Sequence, residues 1–165
     1  LWEKCVELNE PIVVMEDDVV IADEFVEAMK VVNDNIGTLS YIRLSGISLH
    51  RRPYAVIKKI GCFDLVDHIR GPAGTQCYAL HPKAAEAFMQ HARVWFLPVD
   101  DYLDRYWSHH IDCYSLMPFP VKLADVESDM RRIKKGKRPL SLKIMQELYG
   151  LLERFRRFRY RISKP

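Results

Sequence analysis

Pro11-Ile12-Val13-Val14-Met15-Glu16-Asp17-Asp18 decides the fold class. Four apolar residues in unbroken succession predict a short strand covered on both faces, as in a parallel α/β sheet, because a half-exposed strand would alternate apolar with polar positions. Three carboxylates follow at once, at the end of the strand where open α/β sheets bind their ligands. Their hard oxygens suit Mg²⁺ or Mn²⁺ better than softer metals, and such an ion would neutralise a diphosphate. An acidic triplet also arises by chance in a chain this rich in carboxylates. Its position gives it weight, since three adjacent charges directly after a buried strand are costly unless solvated or metal-bound.

Working outward, Leu1, Trp2, Cys5, Val6 and Leu8 have helical apolar spacing, and Asn9 closes that helix. Downstream, Asp23 is placed to N-cap a helix over residues 24–32, with Gly37 ending the unit. Residues 39–44, 54–60 and 63–69 read as strands, and Gly71-Pro72-Ala73-Gly74 as a turn. Residues 75–80 read as a strand running into a helix that starts at Pro82. Pro98 introduces a short helix over 100–107. A strand over 111–117 is stopped by Pro118 and Pro120, and residues 121–138 become polar and then strongly basic, as a loop. Ser141 is placed to cap a last helix.

The chain has 165 residues, 48% of them hydrophobic, which excludes disordered and collagen-like classes. One core at this length buries roughly two thirds of the surface of the unfolded chain. Cys5, Cys62, Cys77 and Cys113 form no CxxC pair, so neither a zinc ribbon nor a disulfide framework is indicated, and a reducing, cytoplasmic setting is expected. No apolar run reaches the roughly 20 residues needed to span a bilayer. Leu1-Trp2-Glu3-Lys4 has neither an initiator Met nor a secretory pattern, and reads as a chain that begins mid-protein.

The net charge of +3 conceals two opposite pieces. Residues 129–165 carry 13 basic and 3 acidic side chains, a net +10, leaving 12 basic and 19 acidic in residues 1–128. This divides the chain into an acidic body (1–128), a basic linker (129–139) and a basic amphipathic helix (140–165). In that helix Ile144, Leu148, Leu151, Leu152, Phe155, Phe158 and Ile162 recur at helical spacing, with Lys143, Arg154, Arg157 and Arg161 mostly on the other side. Such a helix either packs on the body or lies on an anionic membrane. Membrane contact suits best the stretch around Phe155 and Phe158, where arginines dominate.

Beyond the acidic triplet, Asp100 and Asp101 stand at a helix start, where one could act as a general base toward a hydroxyl or simply favour the helix dipole. Gly74, Thr75 and Gln76 belong to a turn that lets a ligand approach the backbone, although turns also use glycine for conformation alone. The six histidines lack metal-ligand spacing and are expected to be structural or solvated. Two readings compete on residues alone. One is a metal-dependent phosphoesterase using Glu16, Asp17, Asp18 and Asp100; the other is a binding module whose tail meets nucleic acid, ranked last because the tail's aromatics lie on an amphipathic helix.

Five segments in order, Leu1-Trp2-Glu3-Lys4-Cys5, Pro11 to Val19, Gly74 to Leu80, Pro98-Val99-Asp100 and Pro118-Phe119-Pro120-Val121, resemble glycosyltransferase family 25, the lipooligosaccharide biosynthesis glycosyltransferases, similar to collagen galactosyltransferase domains. The resemblance covers about residues 1–128. It implies an α/β fold, a GT-A-like mixed sheet flanked by helices. It further implies inverting transfer from a UDP-hexose, most often UDP-galactose, with Mn²⁺ or Mg²⁺ held by Asp18 together with Asp17 or Glu16. Asp100 would be the base for the acceptor hydroxyl, with Asp101 as substitute, and Thr75 and Gln76 would lie near a sugar. The basic tail would suit a lipid-linked acceptor at the inner face of the cytoplasmic membrane, with no nucleic-acid partner. The resemblance also implies that a strand-helix-strand region supplying much of the nucleotide site precedes residue 1 in the family and is missing here.

Overall fold

The computed structural model describes residues 1–47, 53–94, 97–124 and 139–164. The chain divides into two compact units, Leu1–Ala124 and Asp125–Pro165. The first contains α1 (Trp2–Leu8), β1 (Ile12–Met15), β2 (Val19–Ile21), α2 (Phe25–Leu39), β3 (Tyr41–Arg43), β4 (Tyr54–Ile60), β5 (Phe63–His68) and β6 (Cys77–Leu80), followed by α3 (Pro82–His91), α4 (Val99–Leu103), α5 (Tyr106–His109), β7 (Tyr114–Met117) and β8 (Val121–Leu123). The second contains α6 (Leu140–Ser163).

Six strands form a mixed sheet in the order β1-β6-β3-β7-β5-β4, and β2 and β8 form a separate two-stranded ribbon. Among the described strands only β3 and β7 pair in parallel; the other pairs are antiparallel. Alternation along the central strands sends successive side chains to opposite faces. Ile42, Cys77 and Ala79 join the core beneath α2, with Val31, Val32, Ile36, Leu65 and Leu116. Each large aliphatic side chain buried there contributes about 1.5–3 kcal/mol. On the other face Tyr41 meets Phe88 of α3 edge to face at 5.4 Å, and Phe88 also contacts Trp2, Tyr102 and His109.

Several elements depart from expectation. β1 is an edge strand, antiparallel to β6, with only Val14 buried and with Val13 and Met15 exposed. A continuous apolar run reports neither pairing direction nor position in the sheet. Helix α2 runs through Gly37 to Leu39, because Val31, Val32 and Ile36 bury a helical stripe that outweighs the roughly 1 kcal/mol cost of one glycine. Asp23 does not cap α2, whose N-cap is Glu24 without a side-chain hydrogen bond. The helix expected over 100–107 is broken into α4 and α5 at Asp104 and Arg105. Residues 121–123 form β8 rather than loop, paired with the strand that follows the acidic triplet. Ser141 lies inside α6, which starts one residue earlier without a side-chain cap. Of the expected linker, 129–138 lies outside the described residues.

Candidate active site

Glu16 leaves β1 beside the start of β6, where its N–H donates to the Gln76 carbonyl at 2.8 Å. Its carboxylate turns toward the same segment, with Oε1 accepting from the Thr75 hydroxyl at 2.5 Å. Residues 71–76 therefore form a loop tied at one end to the acidic triplet. One residue before Thr75 the Gly74 N–H donates to Asp100 Oδ2 at 3.2 Å, linking the loop to the first turn of α4. The structure thus brings Glu16, Gly74, Thr75, Gln76 and Asp100 into one assembly, although they span 85 positions of sequence.

The loop conformation is demanding. Ala73 and Gly74 are consecutive residues with left-handed φ, 58° and 78°. For Ala73 this costs about 1–2 kcal/mol, and it persists because the surroundings grip both of its backbone groups. Its N–H donates to Asp104 Oδ2 at 3.1 Å, and its carbonyl accepts from Arg43 Nη2 at 2.7 Å. Gly71 must be glycine, because a Cβ there would fall on the Asp104 carboxylate. A Cβ at Gly74 would strike the Gln76 side-chain oxygen.

Arg43 is completely buried, and its Nη1 donates to the Tyr41 hydroxyl at 3.0 Å and stands 4.0 Å from Asp104 Oδ1. Burial works against its charge, but Tyr41, the Asp104 carboxylate and Cys113 outweigh that and hold its pKa above the ordinary value. Burial conversely pushes the Tyr41 phenol well up. Arg43 and Asp104 are the residues that sequence reasoning missed. A signal existed for the first, a cation within the apolar run Tyr41-Ile42-Arg43-Leu44, since a charge is buried only when paired. Asp104 was hidden inside a segment expected to be helical.

Asp17 and Asp18 lie in the exposed turn between β1 and β2, and the Asp18 carbonyl accepts from the Ala124 N–H at 2.9 Å. Asp101 is exposed beside Asp100. Among the described residues no three His, Cys, Asp or Glu side chains converge as a metal cage. Two adjacent exposed carboxylates nevertheless fit the partial, hard-oxygen set with which Mg²⁺-type ions are held jointly by protein, phosphate and water. A cleft of about 470 Å³ lies between the start of α1, the end of α3 and the start of α4, lined by Trp2, Tyr78, Met89 and Val99 among others.

The histidines are structural where they are buried. His109 packs against Phe88 and Tyr102, and burial lowers its pKa to about 3, so it is neutral. His68 Nε2 lies 2.7 Å from Ser115 Oγ across β5 and β7, with both residues sealed from solvent. The four cysteines are free thiols.

A mixed six-stranded sheet flanked by helices, with carboxylates and a glycine loop gathered beside its strand ends, defines a small domain of the nucleotide-sugar transferase type. The chain belongs to glycosyltransferase family 25 (LPS biosynthesis protein), whose model matches residues 1–103. It is accordingly a transferase, which decides against the phosphoesterase and the non-enzymatic binding module. The match contains Glu16 to Asp18, the loop and both Asp100 and Asp101, and stops before Asp104, the Pro118 to Val121 segment and α6. No curated protein matches the chain.

Proposed function

We propose that this chain transfers a hexose, galactose by preference, from a UDP-sugar to a lipooligosaccharide core, with inversion at the anomeric carbon. The observation that carries the reading is the loop of residues 71–76, strung between Glu16 and Asp100 inside the family-matched region. It fixes the spacing of the two acidic motifs and leaves glycine backbone where a sugar must come close.

Asp100 is the base. The Gly74 N–H holds Oδ2, which leaves Oδ1 to take the proton of the acceptor hydroxyl as that oxygen attacks the anomeric carbon from the face opposite UDP. Asp101, exposed and outside the loop contacts, is the substitute. Asp18 and Asp17 would hold Mn²⁺ or Mg²⁺ together with the diphosphate, and the ion's chemistry there is to neutralise charge on the departing UDP. Glu16 is occupied with Thr75 and positions the turn rather than the ion. The acceptor's lipid places the reaction at the inner face of the cytoplasmic membrane, and no described helix is long and apolar enough to cross that membrane.

Calorimetry with UDP, with and without Mn²⁺, tests this reading. Mn²⁺-dependent binding that is lost in Asp18→Ala supports it. No UDP binding with Mn²⁺ present, together with an unaltered titration in Asp18→Ala, removes it.

A further inference from the structure

Helix α6 is apolar where it faces water. None of its residues is buried. Leu140, Ile144, Leu148, Leu151, Phe155, Phe158 and Ile162 form one continuous stripe, each more than half exposed. Elsewhere on the helix Leu142, Gln146, Tyr149 and Arg156 are exposed, and Gly150, Glu153, Arg157, Tyr160 and Arg161 are half-buried. A helix folding in water alone covers its apolar stripe. The side chains singled out from the sequence accordingly separate: Arg154, Phe155 and Phe158 are exposed, whereas Arg157 and Arg161 are partly covered.

Charge selects the occupant of the stripe. The helix carries Lys143, Arg154, Arg156, Arg157, Arg159 and Arg161 against Glu147 and Glu153, and five of its six cations fall within residues 154–161. At 3.6 residues per turn, Arg154 projects about 80° to one side of the stripe and Arg159 about 60° to the other. Phe155, Phe158 and Ile162 are thus flanked by exposed guanidinium groups on long stems. That arrangement lets rings enter an acyl boundary while the cations stay at headgroup level.

A second copy of the helix fits less well. The steps from Ile144 to Ile162 are 4, 3, 4, 3 and 4, a heptad seam. In a parallel pair Arg154 of one helix would face Arg159 of the other, setting like charges beside the seam.

We infer that α6 is an in-plane anchor for an anionic lipid bilayer, with Phe155, Phe158 and Ile162 buried among acyl chains and Arg154 and Arg159 on acidic headgroups. This goes beyond the transfer reaction and stands whether or not the chain moves a sugar.

Flotation of the full chain with vesicles of phosphatidylcholine alone, or mixed with phosphatidylglycerol, tests it. Binding is expected only to the mixed vesicles and weakens in high salt. Arg154→Gln/Arg159→Gln reduces it on the order of 30-fold, and Phe155→Ser/Phe158→Ser reduces it at least as much. Equal binding to both vesicles, or to neither, overturns the inference. So does a dimer in sedimentation that dissociates in the phenylalanine variant while vesicle binding is absent. Vesicle binding without Mn²⁺-dependent UDP binding would count against the proposed UDP-hexose donor and leave this inference standing.

Discussion

The loop of residues 71–76 and helix α6 handle charge and apolar surface in opposite ways. Around the loop a full positive charge, Arg43, is sealed from solvent and matched by Asp104, Tyr41 and the Ala73 carbonyl. Along α6 the cations stay near the surface and the apolar stripe is exposed. A buried charge pair is weak evidence of stability but is consistent with fixed geometry, whereas an exposed apolar stripe marks a contact still to be made. The first region therefore suits positioning for chemistry, and the second suits attachment. That contrast can be broken by experiment.

The largest effect is expected at Asp100. If its carboxylate takes the acceptor proton, Asp100→Asn lowers kcat for UDP release in the presence of acceptor by roughly 10²–10⁴-fold, and Asp101→Asn by less than about threefold. A reversed order would make Asp101 the base and reduce the Gly74 contact to loop structure.

Next comes the buried pair. Arg43→Met leaves Asp104 uncompensated and should cost about 3–5 kcal/mol in denaturant unfolding. Arg43→Met/Asp104→Leu should cost less than the two single changes together, because coupled partners are not additive. Additive losses would show that the 4.0 Å separation carries no coupling.

Acid stability adds a smaller, graded effect. The pKa of His109 falls from the usual 6.5 to about 3 on folding, through burial. Its contribution is fully present above 6.5 and is lost as pH drops toward 3, because the unfolded chain takes up the proton first. The slope due to His109 is at most about 1.4 kcal/mol per pH unit. His109→Asn can retain an acceptor for the Ile111 N–H, which His109 Nδ1 receives at 3.2 Å, and should flatten unfolding free energy between pH 6 and pH 4. An unchanged pH profile would mean that His109 takes up a proton within the folded chain.

Much of this organisation was legible in the sequence, for identifiable reasons. Apolar periodicity marked α1, α3 and α6, and Pro82 marked the start of α3, because local spacing and backbone restriction act within a few residues. The acidic motifs and the glycine loop were visible as chemistry. Their joining was not, because the hydrogen bonds from Thr75 to Glu16 and from Gly74 to Asp100 depend on which strands become neighbours. The edge position of β1 and the pairing of β8 were hidden for the same reason: a strand's sequence records its burial better than its partner. Asp104 was obscured because its tertiary role, holding Ala73, lies outside the helical pattern in which it was read.

The smallest effect separates the two regions most cleanly. Gly37 in α2 and Gly150 in α6 both lie within helices, and a Cβ at either would meet nothing within 4 Å. Alanine at each should favour its helix by about 1 kcal/mol. At Gly37 that gain belongs to a helix whose other face is core, so the midpoint of cooperative unfolding should rise. At Gly150 it belongs to a helix with no buried residue, so helicity by circular dichroism should rise while the midpoint stays put. It should also tighten vesicle binding slightly, since less ordering would remain to be done at the lipid surface. A raised midpoint in Gly150→Ala would show instead that α6 unfolds together with the body, and the contrast between a fixed site and a separate anchor would fail.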